Sequence, residues 1–205
     1  MPFNGQGFTV LYMARTKDFD EQEVLAKAMH LFWLKGYNAT SMQDLVDELG
    51  ISRSSLYDTF GDKHSLFMQA LKNYQANTHE QVKELVQNTV STKEAIRKIL
   101  TNIVSELTAD KEHKGCFLVN ASVEMALNDK EVGDMLCQND RQMEDFFYEA
   151  LKAGQQKGEI TNAQDARLLA KFIINNIKGL RVASKSAADA QVFNDIIALT
   201  LSVLG

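Results

Sequence analysis

From Asp20 onward the apolar residues recur at every third or fourth position: Val24, Leu25, Ala28, Leu31 and Phe32 fall on one helical face, and Gly36 follows as a stop. Ser41 or Thr40 can cap the next segment, where Met42, Leu45, Val46 and Leu49 fill little more than two turns before Gly50. Ser52 caps a third short helix bearing Leu56, Tyr57 and Phe60. Gly61 closes it, and Asp62 opens a fourth that carries Leu66, Phe67, Ala70, Leu71 and Tyr74. Beyond this point the pattern stretches, and the spacing predicts helices over roughly 62–90, 92–109, 115–128, 130–157, 163–186 and 189–204. Their joints, "VST", "ADKEHKG", "LNDKE", "KGEITNAQD" and "SAAD", are short polar connections of the kind found between packed helices.

Composition supports an all-α chain. Pro2 is the only proline in 205 residues, and 45% of the residues are hydrophobic, enough to bury a core of one large or two small domains. No apolar run reaches the roughly 18 residues that span a bilayer, and the start lacks a basic stretch followed by an apolar run, so a cytoplasmic protein without membrane contact is expected. Residues 1–13 carry Gly5 and Gly7 without helical period and read as an extension, either a flexible arm or the product of an upstream start codon. The change of helix length places a small domain at 14–72 and a larger one at 73–205.

The second and third helices, with the tight joint at Gly50-Ile51, have the spacing of a helix-turn-helix, in which Gly50 supplies a positive φ and Ile51 and Leu56 pin one helix on the other. The first turn of the third helix is Ser52, Arg53, Ser54 and Ser55. Small side chains there let a helix approach bases in a major groove about 12 Å wide, and free amides at its start suit a phosphate oxygen. A three-helix core with a solvated serine-rich corner would show the same spacing. The net charge of −5 rules out a broad basic coat for nucleic acid. Residues 14–72 hold seven Lys or Arg against nine Asp or Glu, so any DNA contact rests on a few well-placed groups. Arg15 and Lys17 either add to these from a flexible arm or form an ordinary solvated start.

The stretch "GYNATSMQDLVDELGISRSSLYDTFGDKHSLF" resembles the DNA-binding signature of the tetracycline-repressor (TetR) family of bacterial transcription regulators. The glycine-aromatic pair, the "TS", the "DL", the "GIS", the "LY" and the "F-x-x-K-x-x-L-F" all fall at the family's spacing, and the likeness covers roughly residues 20–72. It implies a double-stranded operator as partner, with Thr40, Tyr57 and Lys63 on backbone phosphate, Ser52, Arg53, Ser54 and Ser55 facing the bases, and Arg53 as the chief base reader. Ser54 and Thr59 depart from the residues frequent in the family. The likeness also implies a small-molecule effector and a homodimer, both served by the larger domain, with no cofactor and no enzymatic activity.

The larger domain offers its own candidates. In "GCFLVNASVEMAL", Phe117, Asn120, Glu124 and Leu127 share a helical face, so Asn120 and Glu124 either meet water or enter an apolar effector cavity. Met125, Met135, Met143, Phe146 and Phe147 either line that cavity or form plain core. Residues 196–204, "IIALTLSVL", are apolar nearly all round, and the preceding helix carries Leu169, Phe172, Ile173, Asn176, Leu180 and Ala183 along one side with Gly179 among them. Phe172, Gly179, Ile197 and Leu201 are therefore expected in a four-helix dimer interface, which places two recognition helices about 34 Å apart on a palindromic operator. Cys116 and Cys137 are expected as buried small apolar residues, with a thiol redox switch as the alternative. His30, His64, His79 and His113 are scattered and match no catalytic spacing, while His113 and Cys116 alone would leave a metal site incomplete.

Overall fold

A computed structural model describes residues 19–186 and 189–205. The extension at 1–13 and the arm residues Arg15 and Lys17 lie outside the described residues. The described chain is all-α: α1 (Glu21–Lys35), α2 (Met42–Leu49), α3 (Arg53–Phe60), α4 (Lys63–Gln87), α5 (Thr92–Ala109), α6 (Phe117–Met125), α7 (Lys130–Gln156), α8 (Ala166–Ala183), a 3-10 turn (Ser184–Ser186) and α9 (Ala190–Ser202). Local chemistry sets most of the helix starts. Asp20, Ser41, Ser52, Asp62, Ser91, Asp129, Asp165 and Asp189 each accept a backbone N–H of the first turn, satisfying donors that have no partner within the helix.

The buried side chains form two clusters. The first joins α1, α2, α3 and the N-terminal half of α4, and it extends into α6 and the start of α7 through Phe117, Leu118, Ala121, Met125, Val132 and Leu136. Phe67 stands edge-on to Phe32 and to Phe117, with ring centroids 5.2 and 5.6 Å apart. The second cluster joins α5, α7, α8 and α9 around Leu100, Phe147, Leu151, Ile173 and Phe193. α4 runs unbroken through residue 72, its side chains passing from the first cluster at Leu71 and Tyr74 to the second at Val82 and Leu85, and α6 packs with the N-terminal helices although it lies far along the chain.

The same packing corrects two of the expected dimer residues. Ile197 and Leu201 are buried in the second cluster of their own chain, because α9 needs one apolar side merely to dock on α5. Phe172 and Gly179 do face outward. With them on the outer side of α8 and α9 are Leu168, Val182, Val192 and Leu199.

Candidate functional site

In the N-terminal half, α2 opens with a capping box: Ser41 Oγ accepts the Asp44 N–H at 3.0 Å and Asp44 Oδ2 accepts the Ser41 N–H at 2.8 Å. Lys35 donates to the same carboxylate at 2.8 Å, and that bond, with those from Ser41, holds Asp44 far below the usual carboxylate range. Gly50 ends α2 at φ 66°, the left-handed conformation that turns the chain within one residue. Ile51 and Leu56 are buried under the turn, so α3 is fixed against α2 and its opposite side is left to solvent. At the start of α3, Ser52 Oγ accepts the Ser55 N–H at 3.1 Å and lies 2.9 Å from the hydroxyls of Ser54 and Ser55. The three serines tie one another back, leaving Arg53 projecting, exposed and without a partner among the described residues. Tyr57 is exposed one turn further on, whereas the Thr59 hydroxyl is buried without a hydrogen bond.

Lys63 opens α4 with its Nζ 4.2 Å from the centroid of the Tyr37 ring; partial burial lowers its pKa, against the opposing pull of Glu124 and Asp44. Thr40 does not stand where the sequence puts it. It is fully buried, and its hydroxyl donates to the Gly36 carbonyl at 2.6 Å. The hydroxyl closes the turn between α1 and α2 from inside, so Thr40 positions the motif and offers no side-chain contact to a phosphate.

Between this half and the rest of the chain lies a cavity of about 860 Å³. One face of α4 lines it through Tyr74, Thr78, Val82 and Leu85, and α1, α5, α6, α7 and α8 supply the other walls. Of the residues expected at an effector cavity, Met143 and Phe147 line this space. Phe117, Asn120 and Glu124 do not. Phe117 is buried behind the wall against Trp33, Phe67 and Tyr74, and Asn120 donates to the Lys114 carbonyl at 2.9 Å. Glu124 accepts the N–H groups of Tyr37 at 3.0 Å and Asn38 at 2.7 Å, and its carboxylate sits against Gly36, where an added Cβ would come within 2.8 Å of Oε2. The reason is the roll of α6: Leu118, Val119, Ser122 and Val123 face the cavity, which turns the opposite face onto α1 and α4. Helical period alone marks both faces and does not say which body each one meets.

One corner of the cavity is polar. Trp33, Tyr74, Cys116 and Arg181 line it, and Trp33 packs edge-on to Tyr74 with ring centroids 4.9 Å apart. The Tyr74 hydroxyl donates to Cys116 Sγ at 3.7 Å; burial first, and Cys116 second, push its pKa up and keep it protonated. Burial works against the charge on Arg181, but Cys116, Tyr74 and Glu106 more than offset it, so its pKa is raised and it stays a cation. Glu106 stands 3.9 Å from its guanidinium. The Trp33 indole N–H is buried with no hydrogen-bond partner. Trp33, Tyr74 and Arg181 were not singled out in the sequence for this role, yet Arg181 leaves a trace there: it continues the apolar stripe of Ile174 and Ile177 on α8. Both cysteines are free thiols, Cys116 buried as expected and Cys137 exposed on α7, contrary to expectation. Among the described residues no group of three or more His, Cys, Asp or Glu could hold a metal, and no helix is long and apolar enough to cross a membrane.

Residues 24–70 match the family described as bacterial regulatory proteins, tetR family, and residues 92–199 match the tetracyclin repressor-like C-terminal domain. The chain is 36% identical over 193 residues to YezE, an uncharacterised HTH-type transcriptional regulator of Bacillus subtilis (strain 168), covering 94% of this chain and all of that one. It is 30% identical over 190 residues to the HTH-type transcriptional repressor ComR of Escherichia coli (strain K12), covering 91% and 90% of the two chains. Among solved structures it is similar to a cysteine mutant of the regulator CifR complexed with 26-bp double-strand operator DNA, with a TM-score of 0.84, 26% identity, and 93% and 100% of the chains covered.

Proposed function

The chain belongs to the tetR family of bacterial regulatory proteins and is a DNA-binding transcriptional regulator, and we propose that it acts as a ligand-responsive repressor in the cytoplasm. In this reading a homodimer holds a palindromic operator through two copies of α3, with Ser52, Arg53, Ser54 and Ser55 facing the bases, Arg53 as the chief base reader, and Tyr57 and Lys63 on the backbone. A small apolar or amphipathic molecule in the cavity releases the DNA. Its relatives are regulators rather than enzymes.

The observation that carries this reading is that the cavity is walled by elements that also build the DNA-binding half. α4 starts at Lys63 and lines the cavity further along with Tyr74, Val82 and Leu85. A second link is α6: one face lines the cavity, and the other holds the backbone ahead of α2 through Glu124. Just beyond α6, Asp129 meets His64 of α4 at 2.7 Å. A ligand that spreads these walls shifts both grips on the motif. It must bind the released form more tightly, and a hundredfold preference amounts to about 2.7 kcal/mol of coupling. The test is to select operator DNA with the purified protein, then titrate it with candidate molecules. A compound that occupies the cavity at saturation without lowering operator affinity is not an effector.

One feature supports a second reading: Cys116 is a free thiol on the cavity wall, beside the Tyr74 hydroxyl. Were release to follow oxidation instead, Cys116→Ser would abolish it and Cys137→Ser would have no effect.

A further inference from the structure

The cavity has apolar walls and one corner where donors outnumber acceptors. Three cationic side chains border it, and two are already neutralised: Lys114 by Asp110 at 3.1 Å and Glu112 at 2.5 Å, and Lys178 by Asp140 at 2.6 Å. Arg181 is different, since its side chain is only 11% exposed and the carboxylate it faces, Glu106, stands 3.9 Å away and is itself 44% exposed. Beside it are two more donors with poor outlets: the buried Trp33 N–H with no partner, and the Tyr74 hydroxyl with only a sulfur at 3.7 Å. A buried donor without an acceptor is costly, as is a buried cation with a distant counter-ion.

Resting on the reading of this cavity as the effector site, we propose that the effector is an apolar carboxylic acid, whose carboxylate meets the Arg181 guanidinium and the Trp33 indole N–H, with the Tyr74 hydroxyl alongside. Its carbon skeleton lies along Val82, Leu85, Ile103, Met143 and Phe147, all of which line the same space. A planar guanidinium and a carboxylate match in charge and in their paired hydrogen bonds. A phosphate monoester fits worse, because its second negative charge would face Glu106 and Asp110 with no further free cation at the corner among the described residues. An amine would face Arg181 itself.

The chain has one tryptophan, and it is Trp33, so intrinsic tryptophan fluorescence reports on this corner alone. Full-length protein is titrated with 4-phenylbutanoic acid, its primary amide and 4-phenylbutan-1-ol, following Trp33 emission and, in parallel, operator affinity. The acid is expected to act at concentrations at least about tenfold lower than the amide or the alcohol, the scale of one charge-assisted pair. Glu106→Gln, which removes the competing carboxylate, is expected to tighten the acid only. Arg181→Gln should abolish the preference, and Arg181→Lys, which keeps the charge but loses the planar fork, should weaken it, with circular dichroism melts confirming that each variant folds. If the alcohol acts as well as the acid and releases operator, the carboxylate assignment falls while the effector cavity stands. If no member of the set alters emission or operator affinity in the wild-type protein, the assignment falls and the effector-site reading loses its support as well.

Discussion

At Arg53 an exposed guanidinium without a partner among the described residues sits in the first turn of α3, beside serines whose hydroxyls are tied to one another. Its replacement by alanine leaves every described packing contact in place, so the expected cost falls on DNA recognition: about 1–3 kcal/mol at the cognate site, with relaxed base preference. Lys63→Ala should instead weaken binding to all sequences and lower the salt slope by about 1, as expected for a phosphate contact. Gel-shift titrations of cognate and scrambled duplexes at several salt concentrations separate the two, and an Arg53→Ala protein with unchanged sequence preference would remove Arg53 from the groove. Thr40 behaves the other way. Its hydroxyl is buried on the Gly36 carbonyl, so Thr40→Val should cost about 1 kcal/mol of folding stability and leave the salt slope of DNA binding unchanged. Denaturant melts beside the same gel shifts check this. The "TS" pair was legible as a motif, but its pattern could not say that Ser41 caps α2 while Thr40 points inward.

Among the elements, α6 departs most from its sequence reading. It is nine residues long and apolar on more than one side, so it can serve two bodies at once, a cavity wall on one face and a grip on the α1–α2 turn on the other. Glu124 is the polar part of that grip. Glu124→Gln keeps the shape but leaves one neutral acceptor for two N–H groups that now each have a carboxylate oxygen, and its NH2 would face the other N–H donor to donor. The expected result is a helix-turn-helix less firmly tied to the ligand domain: hydrogen exchange at Tyr37 and Asn38 rises, and the ratio of operator affinities with and without effector shrinks. An unchanged ratio would leave α4 as the sole conduit. Helix starts were legible because a cap is local chemistry, and Ser52, Asp62 and the turn at Gly50 stand where the sequence puts them. The cavity corner was not, because Trp33, Tyr74 and Arg181 come from three helices far apart in the chain, each looking like one more member of an apolar stripe. Only a charged residue continuing such a stripe, as Arg181 does, hints at a buried polar site.

On the whole molecule, the outer side of α8 and α9 leaves large apolar groups in water: Leu168, Phe172 and Val182 on α8, and Val192 and Leu199 on α9. On α8 they recur with Gly179 at steps of four, seven and three residues, all on one helical face, so they form one stripe rather than scattered exposures. Nothing lies within 4 Å of where a Cβ on Gly179 would sit, which leaves that point of the stripe open for another helix to approach closely. Pairing α8 and α9 with the same helices of a second chain would cover all of it in a twofold four-helix interface. Phe172→Asp puts a charge in the middle of that stripe while disturbing little of the chain's own core, since Phe172 is 41% exposed. The expected product is a folded 23.0 kDa monomer in sedimentation, with a melting curve close to that of the parent at matched ligand-free conditions. Its operator affinity should drop steeply, because two half-sites spaced about 34 Å apart no longer bind as one linked event. Ile197→Asp provides the contrast: the side chain is 5% exposed within its own chain, so that variant is expected to lose several kcal/mol of stability and to unfold or aggregate rather than dissociate cleanly. A Phe172→Asp protein that still sediments as a dimer and binds operator normally would place the interface elsewhere, and the exposed stripe on α8 would then need another partner to cover it.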